Sequence, residues 1–175
     1  MRIFAIILGL TLFFTLNTRA QDEKIKWYSF EEAVELSREN PRKILIDIYT
    51  DWCGFCKKME AETFGNLQVA RYVNQHFYPV KFNSETRDTI TFQGHEFINE
   101  GEGRRSPHQL SIALLQGQMS YPSVVYINED FELLTAVPGF RTPEQMEPIL
   151  RYFGEDHYRT TSWEKFSENF TGNFR

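Results

Sequence analysis

The only two cysteines of the chain, Cys53 and Cys56, stand three positions apart in the stretch TDWCGFCKKME, residues 50–60. Such a pair could be a structural disulfide, half of a metal site, or a disulfide that opens and closes repeatedly. A structural disulfide across so short a loop would stabilise the fold only weakly. A metal site would need two further ligands, and the four histidines show no ligand spacing. The spacing therefore favours a redox pair, with no metal and no cofactor, over the other two interpretations.

The cysteines lie between a predicted strand and a predicted helix. Residues 42–50, RKILIDIYT, form an apolar run rich in isoleucine that is typical of a strand buried on both faces. Cys53 would cap the following helix, where free N–H groups and the helix dipole favour an anion such as a thiolate. Cys56 would lie buried one turn later, so that it can attack Cys53 after a mixed disulfide has formed. Cys53 is thus the predicted nucleophile, and Phe55 would be exposed beside it.

The rest of the pattern alternates helices and strands, as in an α/β domain. Residues 84–119 are predicted to be an insertion that contains a hairpin around Gly94 and a helix begun by Ser106 and Pro107. Residues 154–175 would form a C-terminal extension with a short extra helix, and the histidines are expected at the surface. The other predicted elements are helices at 29–40, 53–64, 66–77 and 142–153, and strands at 42–50, 78–83, 122–128 and 131–137, the last two joined by a tight turn.

Residues 1–20, MRIFAIILGLTLFFTLNTRA, are typical of a cleaved signal peptide, with Arg2 before an apolar run and small residues before the cut. The run is shorter than the roughly 20 residues that a bilayer span needs, although an uncleaved anchor is the alternative. We therefore expect an exported, periplasmic protein whose residues 21–175 form one domain, as a monomer. The formal net charge of −5 gives no support for nucleic acid or an anionic membrane as a partner.

The stretch ILIDIYTDWCGFCK, residues 44–57, resembles the active-site region of the thioredoxin superfamily. The resemblance covers residues 44–83 and 121–153, and it is closest to exported bacterial thioredoxin-like proteins. A similar run occurs in the C-terminal domain of membrane-linked thiol:disulfide interchange reductases. The resemblance implies a thioredoxin-like fold, in which helices flank a central mixed sheet, with the insertion placed before the strand that follows a cis-proline.

The resemblance also implies roles for residues outside the cysteine pair. Asp47, six positions before Cys53, matches a buried acid that relays protons to the second cysteine, and Lys81 matches a lysine that accompanies it. Pro122 matches the cis-proline that faces the cysteines. Independently of the resemblance, a carboxylate inside an apolar strand is costly to ionise, so the pKa of Asp47 should rise. The alternative is that Asp47 only bonds a backbone group at the strand end.

Together these features predict a thiol:disulfide oxidoreductase of the cell envelope, and the resemblance favours reduction over oxidation of protein disulfides, with electrons supplied by a membrane-bound donor. Substrate would lie in a groove of four aromatic residues: Trp52, Phe55, Tyr121 and Phe140. The alternative is a non-catalytic module that binds peptides in this groove and carries an inert disulfide. Arg104 and Arg105, in the loop GEGRR, could recognise an acidic partner or simply be solvated.

Overall fold

The computed structural model describes residues 24–174, so the predicted signal peptide lies outside the described residues. Within that range a π-helical turn (Glu60–Phe64) follows α2, and a short 3₁₀ turn (His157–Arg159) precedes α6. The elements in chain order are α1 (Phe30–Glu39), β1 (Lys43–Tyr49), α2 (Gly54–Met59), α3 (Leu67–His76), β2 (Phe77–Asn83), β3 (Ile90–Phe92), β4 (His95–Phe97), α4 (Gln109–Leu114), β5 (Ser123–Ile127), β6 (Leu133–Pro138), α5 (Pro143–Gly154) and α6 (Trp163–Glu168).

The central sheet has the strand order β2-β1-β5-β6. Strand β1 runs parallel to β2 and antiparallel to β5, and β5 runs antiparallel to β6. Helices α3 and α5 contribute to the apolar core on one face, whereas α1 and α4 contribute to the core on the other. Because β1 is covered on both faces, its side chains are almost all buried, as its apolar run predicts. The predicted α/β fold with a mixed sheet flanked by helices is confirmed.

The insertion follows β2 and contains the predicted hairpin, with Gln93 and Gly94 in the left-handed turn between β3 and β4. Its helix, however, begins at Gln109 rather than after Ser106, so that prediction was wrong. The N-cap is His108, whose Nδ1 accepts a hydrogen bond from the Leu110 N–H. The expectation that all histidines lie at the surface was also wrong, because this imidazole is fully buried. Both ring nitrogens of His108 are hydrogen-bonded, because Nε2 bonds the Asp88 backbone carbonyl at 3.0 Å. The buried ring therefore has no unsatisfied polar atom.

The connection between β5 and β6 is longer than the predicted tight turn. Strand β5 ends at Ile127 and β6 begins at Leu133. The Asn128 side chain organises the loop, because its Oδ1 accepts hydrogen bonds from the backbone N–H of Asp130 and of Glu132, at 3.1 and 2.7 Å. Local side-chain bonding of this kind replaces the two-residue turn that the spacing suggested.

The C-terminal extension docks against α5. Trp163 of α6 packs on Tyr152, with ring centroids 5.3 Å apart. Farther along, the buried carboxylate of Glu147 accepts hydrogen bonds from the backbone N–H of Asn173 and of Phe174, both at 2.7 Å. The predicted extra helix is therefore present, and a side chain of α5 holds the chain beyond it. No helix between residues 24 and 174 is long and apolar enough to cross a bilayer.

Candidate active site

Cys53 and Cys56 form a disulfide where β1 gives way to α2. Their Cα atoms are 5.3 Å apart. Cys53 is the N-cap of α2, and its Sγ accepts a hydrogen bond of 3.0 Å from the Cys56 backbone N–H. Both residues are only 5% exposed, so exposure does not indicate which cysteine is the nucleophile. Their positions in the helix differ, because Cys53 lies at the helix end that favours a thiolate and Cys56 lies one turn inside the helix.

Asp47, on β1, is buried at 2% exposure, as the resemblance implied. Its Oδ1 has no hydrogen-bond partner among residues 24–174. Burial raises the pKa of this carboxyl from an ordinary 3.8 to about 7, the Lys81 ammonium opposes the rise, and the Glu60 carboxylate adds to it. The alternative that Asp47 only bonds a backbone group is thereby weakened. A carboxyl with this pKa can accept or release a proton near neutral pH.

A cavity of about 360 Å³ lies between Asp47 and Cys56. The side chains of Asp47 and Cys56 both line it, and it has room for several water molecules. Asp47 and Cys56 therefore lie on the wall of one shared cavity. The other lining residues are Tyr49, Thr50, Asp51, Lys57, Glu60 and Lys81.

Lys81 lies beside Asp47 because the parallel register of β1 and β2 pairs the two residues. Its ammonium forms an ion pair with Glu60, so it acts on Asp47 through charge. The sequence alone did not identify Glu60 as part of this site. The available signal was its position four residues after Cys56, which puts both side chains on one face of a helix.

The peptide bond between Tyr121 and Pro122 is cis, as the resemblance implied. Pro122 is buried, and its carbonyl accepts a 2.7 Å hydrogen bond from the backbone N–H of Gly139. Gly139 has a φ of 87°, which glycine adopts without the steric cost that a side chain would bring. Strand β5 starts at the next residue, and its antiparallel register pairs Ser123 with Ile48. Pro122 therefore lies beside the end of β1 that leads into Cys53.

The four predicted groove residues form two aromatic pairs beside the disulfide. Trp52 is 50% exposed and packs edge-on against Tyr121, with ring centroids 6.1 Å apart. Phe55 is 64% exposed and lies 6.3 Å from Phe140. Trp52 directly precedes Cys53, and Phe55 lies between the two cysteines. Their exposed rings would therefore contact whatever approaches the disulfide.

Two residues at the start of the insertion bond the pair of Trp52 and Tyr121, and neither was predicted from the sequence. The hydroxyl of Ser84 is hydrogen-bonded to that of Tyr121 at 2.7 Å. The carboxylate of Glu85 accepts a 2.7 Å hydrogen bond from the Trp52 indole N–H. The partners are more than 30 positions apart in the chain, so no local sequence signal identifies the contacts. The insertion thus helps to shape the groove.

A larger cavity, of about 660 Å³, lies between β6, α5 and the C-terminal extension, away from the disulfide. Of the predicted site residues, none lines it. Among residues 24–174, no group of three or more His, Cys, Asp or Glu side chains is arranged to hold a metal ion.

The family model of a thioredoxin-like domain matches residues 30–154. The chain therefore belongs to the thioredoxin-like family. Solved structures share the fold. The protein superposes on the DsbH oxidoreductase with a TM-score of 0.56 at 17% identity, over 81% of this chain and 92% of that one. A thioredoxin from Thermus thermophilus gives a TM-score of 0.54 at 17% identity, over 79% and 99%.

Curated relatives match at the level of sequence. The thiol:disulfide interchange protein DsbD of Pseudoalteromonas atlantica is 30% identical over 67 residues, which are 38% of this chain and 11% of DsbD. An uncharacterized protein of Caenorhabditis elegans, B0495.5, is 22% identical over 146 residues, which are 83% of this chain and 18% of the relative. The chain thus spans less than a fifth of the length of either relative.

Proposed function

We propose that this protein is a thiol–disulfide oxidoreductase that reduces disulfides in exported proteins. The observation that carries the proposal is the buried Asp47 carboxyl, with a pKa of about 7, on the wall of the cavity that Cys56 also lines. A structural disulfide needs no proton-exchanging group, and burying a carboxyl without a hydrogen-bond partner destabilises the fold. Such a cost is expected where a site needs the perturbed group for chemistry.

The reaction begins with the reduced pair. The Cys53 thiolate attacks one sulfur of a substrate disulfide, the substrate S–S bond breaks, and the departing sulfur takes up a proton. Cys56 then gives its proton to Asp47 and attacks the Cys53 sulfur. The Cys53–Cys56 bond forms as the mixed disulfide breaks, and the second substrate sulfur leaves as a thiolate that takes up a proton. Two electrons have then passed from the protein to the substrate, which now carries two thiols. Pro122 and the four groove aromatics would position the substrate chain during both steps.

The reducing direction requires an electron donor that restores the two thiols. We propose a membrane-bound donor in the cell envelope, supported by similarity to the thiol:disulfide interchange protein DsbD and by the predicted signal peptide. The protein would act as a monomer on protein substrates.

Thiol reactivity tests the proposal. In the reduced protein, iodoacetamide should modify Cys53 faster than Cys56, and should still do so at about pH 6, where an ordinary thiol of pKa about 8.5 is almost fully protonated. Peptide mapping after timed alkylation measures both rates, with free cysteine as the reference. If mild reductant frees no thiols, or if both cysteines react like free cysteine at every pH, the oxidoreductase proposal fails.

A peptide-binding module is the second candidate function, and the exposure of Trp52 and Phe55 favours it, because exposed aromatic rings often mark a binding surface. In that case the disulfide would stay closed while peptides occupy the groove. The alkylation experiment separates the two candidates, since a binding module needs no reactive thiolate.

A further inference from the structure

Two arginines of the insertion lie next to the residue that precedes Cys53. The Arg105 guanidinium lies over the Trp52 indole, 4.8 Å from the ring centroid. With Arg104 and Trp52, it lines a cavity of about 550 Å³. Neither arginine is ion-paired within residues 24–174. Two guanidinium groups that form no ion pair in that range therefore lie beside Trp52, and the carboxylates of Asp51 and Glu85 line the same cavity.

The carboxylates that line the same cavity are bonded to neutral donors. Glu85 accepts its hydrogen bond from the Trp52 indole at 2.7 Å, and Asp51 accepts one from the Asn83 amide at 3.4 Å. Neither comes within ion-pair distance of Arg104. These carboxylates keep their negative charge but do not occupy the N–H donors of the guanidinium groups, which can therefore bind an anion from outside the chain.

The loop that carries the arginines is held in place by hydrogen bonds. The Arg87 guanidinium donates to the backbone carbonyls of Asn99, Gly101 and Gly103, at 3.0, 2.6 and 2.9 Å. The Asn99 amide donates to the carbonyl of Ser106 at 2.7 Å. Because the loop is anchored on both sides of the arginine pair, the position of the pair follows from the fold.

We propose that Arg104 and Arg105 form a carboxylate-binding site beside Cys53, which favours protein substrates with an Asp or Glu side chain near the disulfide cysteine. The inference rests on the proposed disulfide exchange and names a substrate class for it. A guanidinium group presents a planar fork of donors that matches a carboxylate. The whole chain carries a formal charge of −5 and would repel acidic partners at long range. The arginine pair supplies a local attraction where the two sulfurs must meet.

The test uses synthetic peptide disulfides that differ at one position. Each peptide is a capped alanine pentapeptide dimerised through a central cysteine, with one alanine replaced by Glu or, as its neutral match, by Gln. For the reduced wild-type protein, the exchange rate with Glu should exceed that with Gln by about fivefold in the best register, at low ionic strength. Added salt should reduce this ratio, because it screens exposed charges.

Variants assign the preference to the arginines. The double variant Arg104→Gln with Arg105→Gln should bring the Glu-to-Gln ratio close to one. Arg104→Lys with Arg105→Lys keeps the charge but not the planar fork, so it should keep only part of the preference. Lys165→Gln, which removes one exposed positive charge on α6, is the charge control and should keep the full ratio. Each rate is divided by the rate of the same variant on the Gln peptide, so a general effect on Trp52 packing cancels.

Binding is measured separately from exchange. Peptides with Ser in place of Cys are titrated into the oxidised protein, and NMR follows the signals of the Trp52 indole and the arginine side chains. A preference for the Glu peptide that the double Gln variant loses supports the carboxylate site. This holds even if no disulfide exchange is detected, a result that would contradict only the oxidoreductase proposal. Equal binding of Glu and Gln peptides, or a preference that survives in the double Gln variant, overturns the carboxylate site whatever the exchange rates are.

Discussion

Replacing Cys56 with Ser is expected to trap a covalent complex between Cys53 and a protein that brings a disulfide. The first attack can still occur, but no second thiol is present to release the substrate. An intramolecular nucleophile in the right geometry has an effective concentration far above the millimolar level of an external thiol. Turnover should therefore fall by about 10³-fold or more, and non-reducing electrophoresis with mass spectrometry should detect the complex.

The reciprocal variant is the matched control. Cys53→Ser should trap no complex, because Cys56 lies one turn inside α2, away from the helix end that stabilises a thiolate. The comparison is informative because the two cysteines have the same 5% exposure. An equal yield of complex through Cys56 would reverse the assigned roles. Circular dichroism of both variants checks that each one has folded.

Replacing Asp47 with Asn is expected to make the protein more stable, and more so as the pH rises. Burial raises the pKa of Asp47 from 3.8 to about 7, so the native state binds this proton more tightly than the unfolded state does. The carboxyl is therefore well tolerated in the fold at low pH, and it becomes destabilising as the pH rises from about 4 through about 7. An asparagine of the same shape carries no charge to bury at any pH.

The stabilisation by Asp47→Asn should grow with pH by a measurable amount. The free energy of unfolding of the Asn variant minus that of the wild type should be about 2–3 kcal/mol larger at about pH 8 than at about pH 5. Urea denaturation of the two oxidised proteins at both pH values measures this difference. The control is Asp51→Asn, which removes an exposed carboxylate from the same cavity wall. A constant gap between the curves of wild type and Asp47→Asn would mean that the Asp47 pKa is not raised.

The same substitution should slow catalysis. Without the carboxyl, Cys56 loses its proton acceptor, and general-base assistance is typically worth about 10²-fold or more. The mixed disulfide should therefore persist longer in Asp47→Asn, while the first attack by Cys53 continues. Rapid-quench sampling of the mixed disulfide separates the two steps. A variant that gains stability and resolves the mixed disulfide at the wild-type rate would leave Asp47 without a catalytic role.

The elements that short-range chemistry determines could be predicted from sequence. Helix α1 begins at a capping box formed by Ser29 and Glu32, and α5 begins with Thr142 as N-cap and proline at its first position. The apolar composition of β1 indicates a strand that is buried on both faces of the sheet, and the Cys-x-x-Cys spacing indicates the disulfide. In each case, residues within a few positions of one another contain the information.

The features that depend on distant contacts could not be predicted. Helix α4 starts at Gln109 because the His108 ring is buried against Phe82, with ring centroids 5.6 Å apart. Glu85 becomes part of the groove only because the fold brings it to the Trp52 indole. Polar side chains of this kind show no periodicity in the sequence, and the tertiary packing of apolar surfaces decides which partners they meet.

The reduction potential of the Cys53–Cys56 pair tests the central claim most directly. The oxidised protein, as residues 21–175, is equilibrated against glutathione and dithiothreitol buffers, and the fraction of free thiols is measured by alkylation and mass spectrometry. A catalytic pair that reduces substrates should have a potential near the thioredoxin figure of about −270 mV. A pair that stays oxidised well below about −300 mV would behave as a structural disulfide and contradict the account.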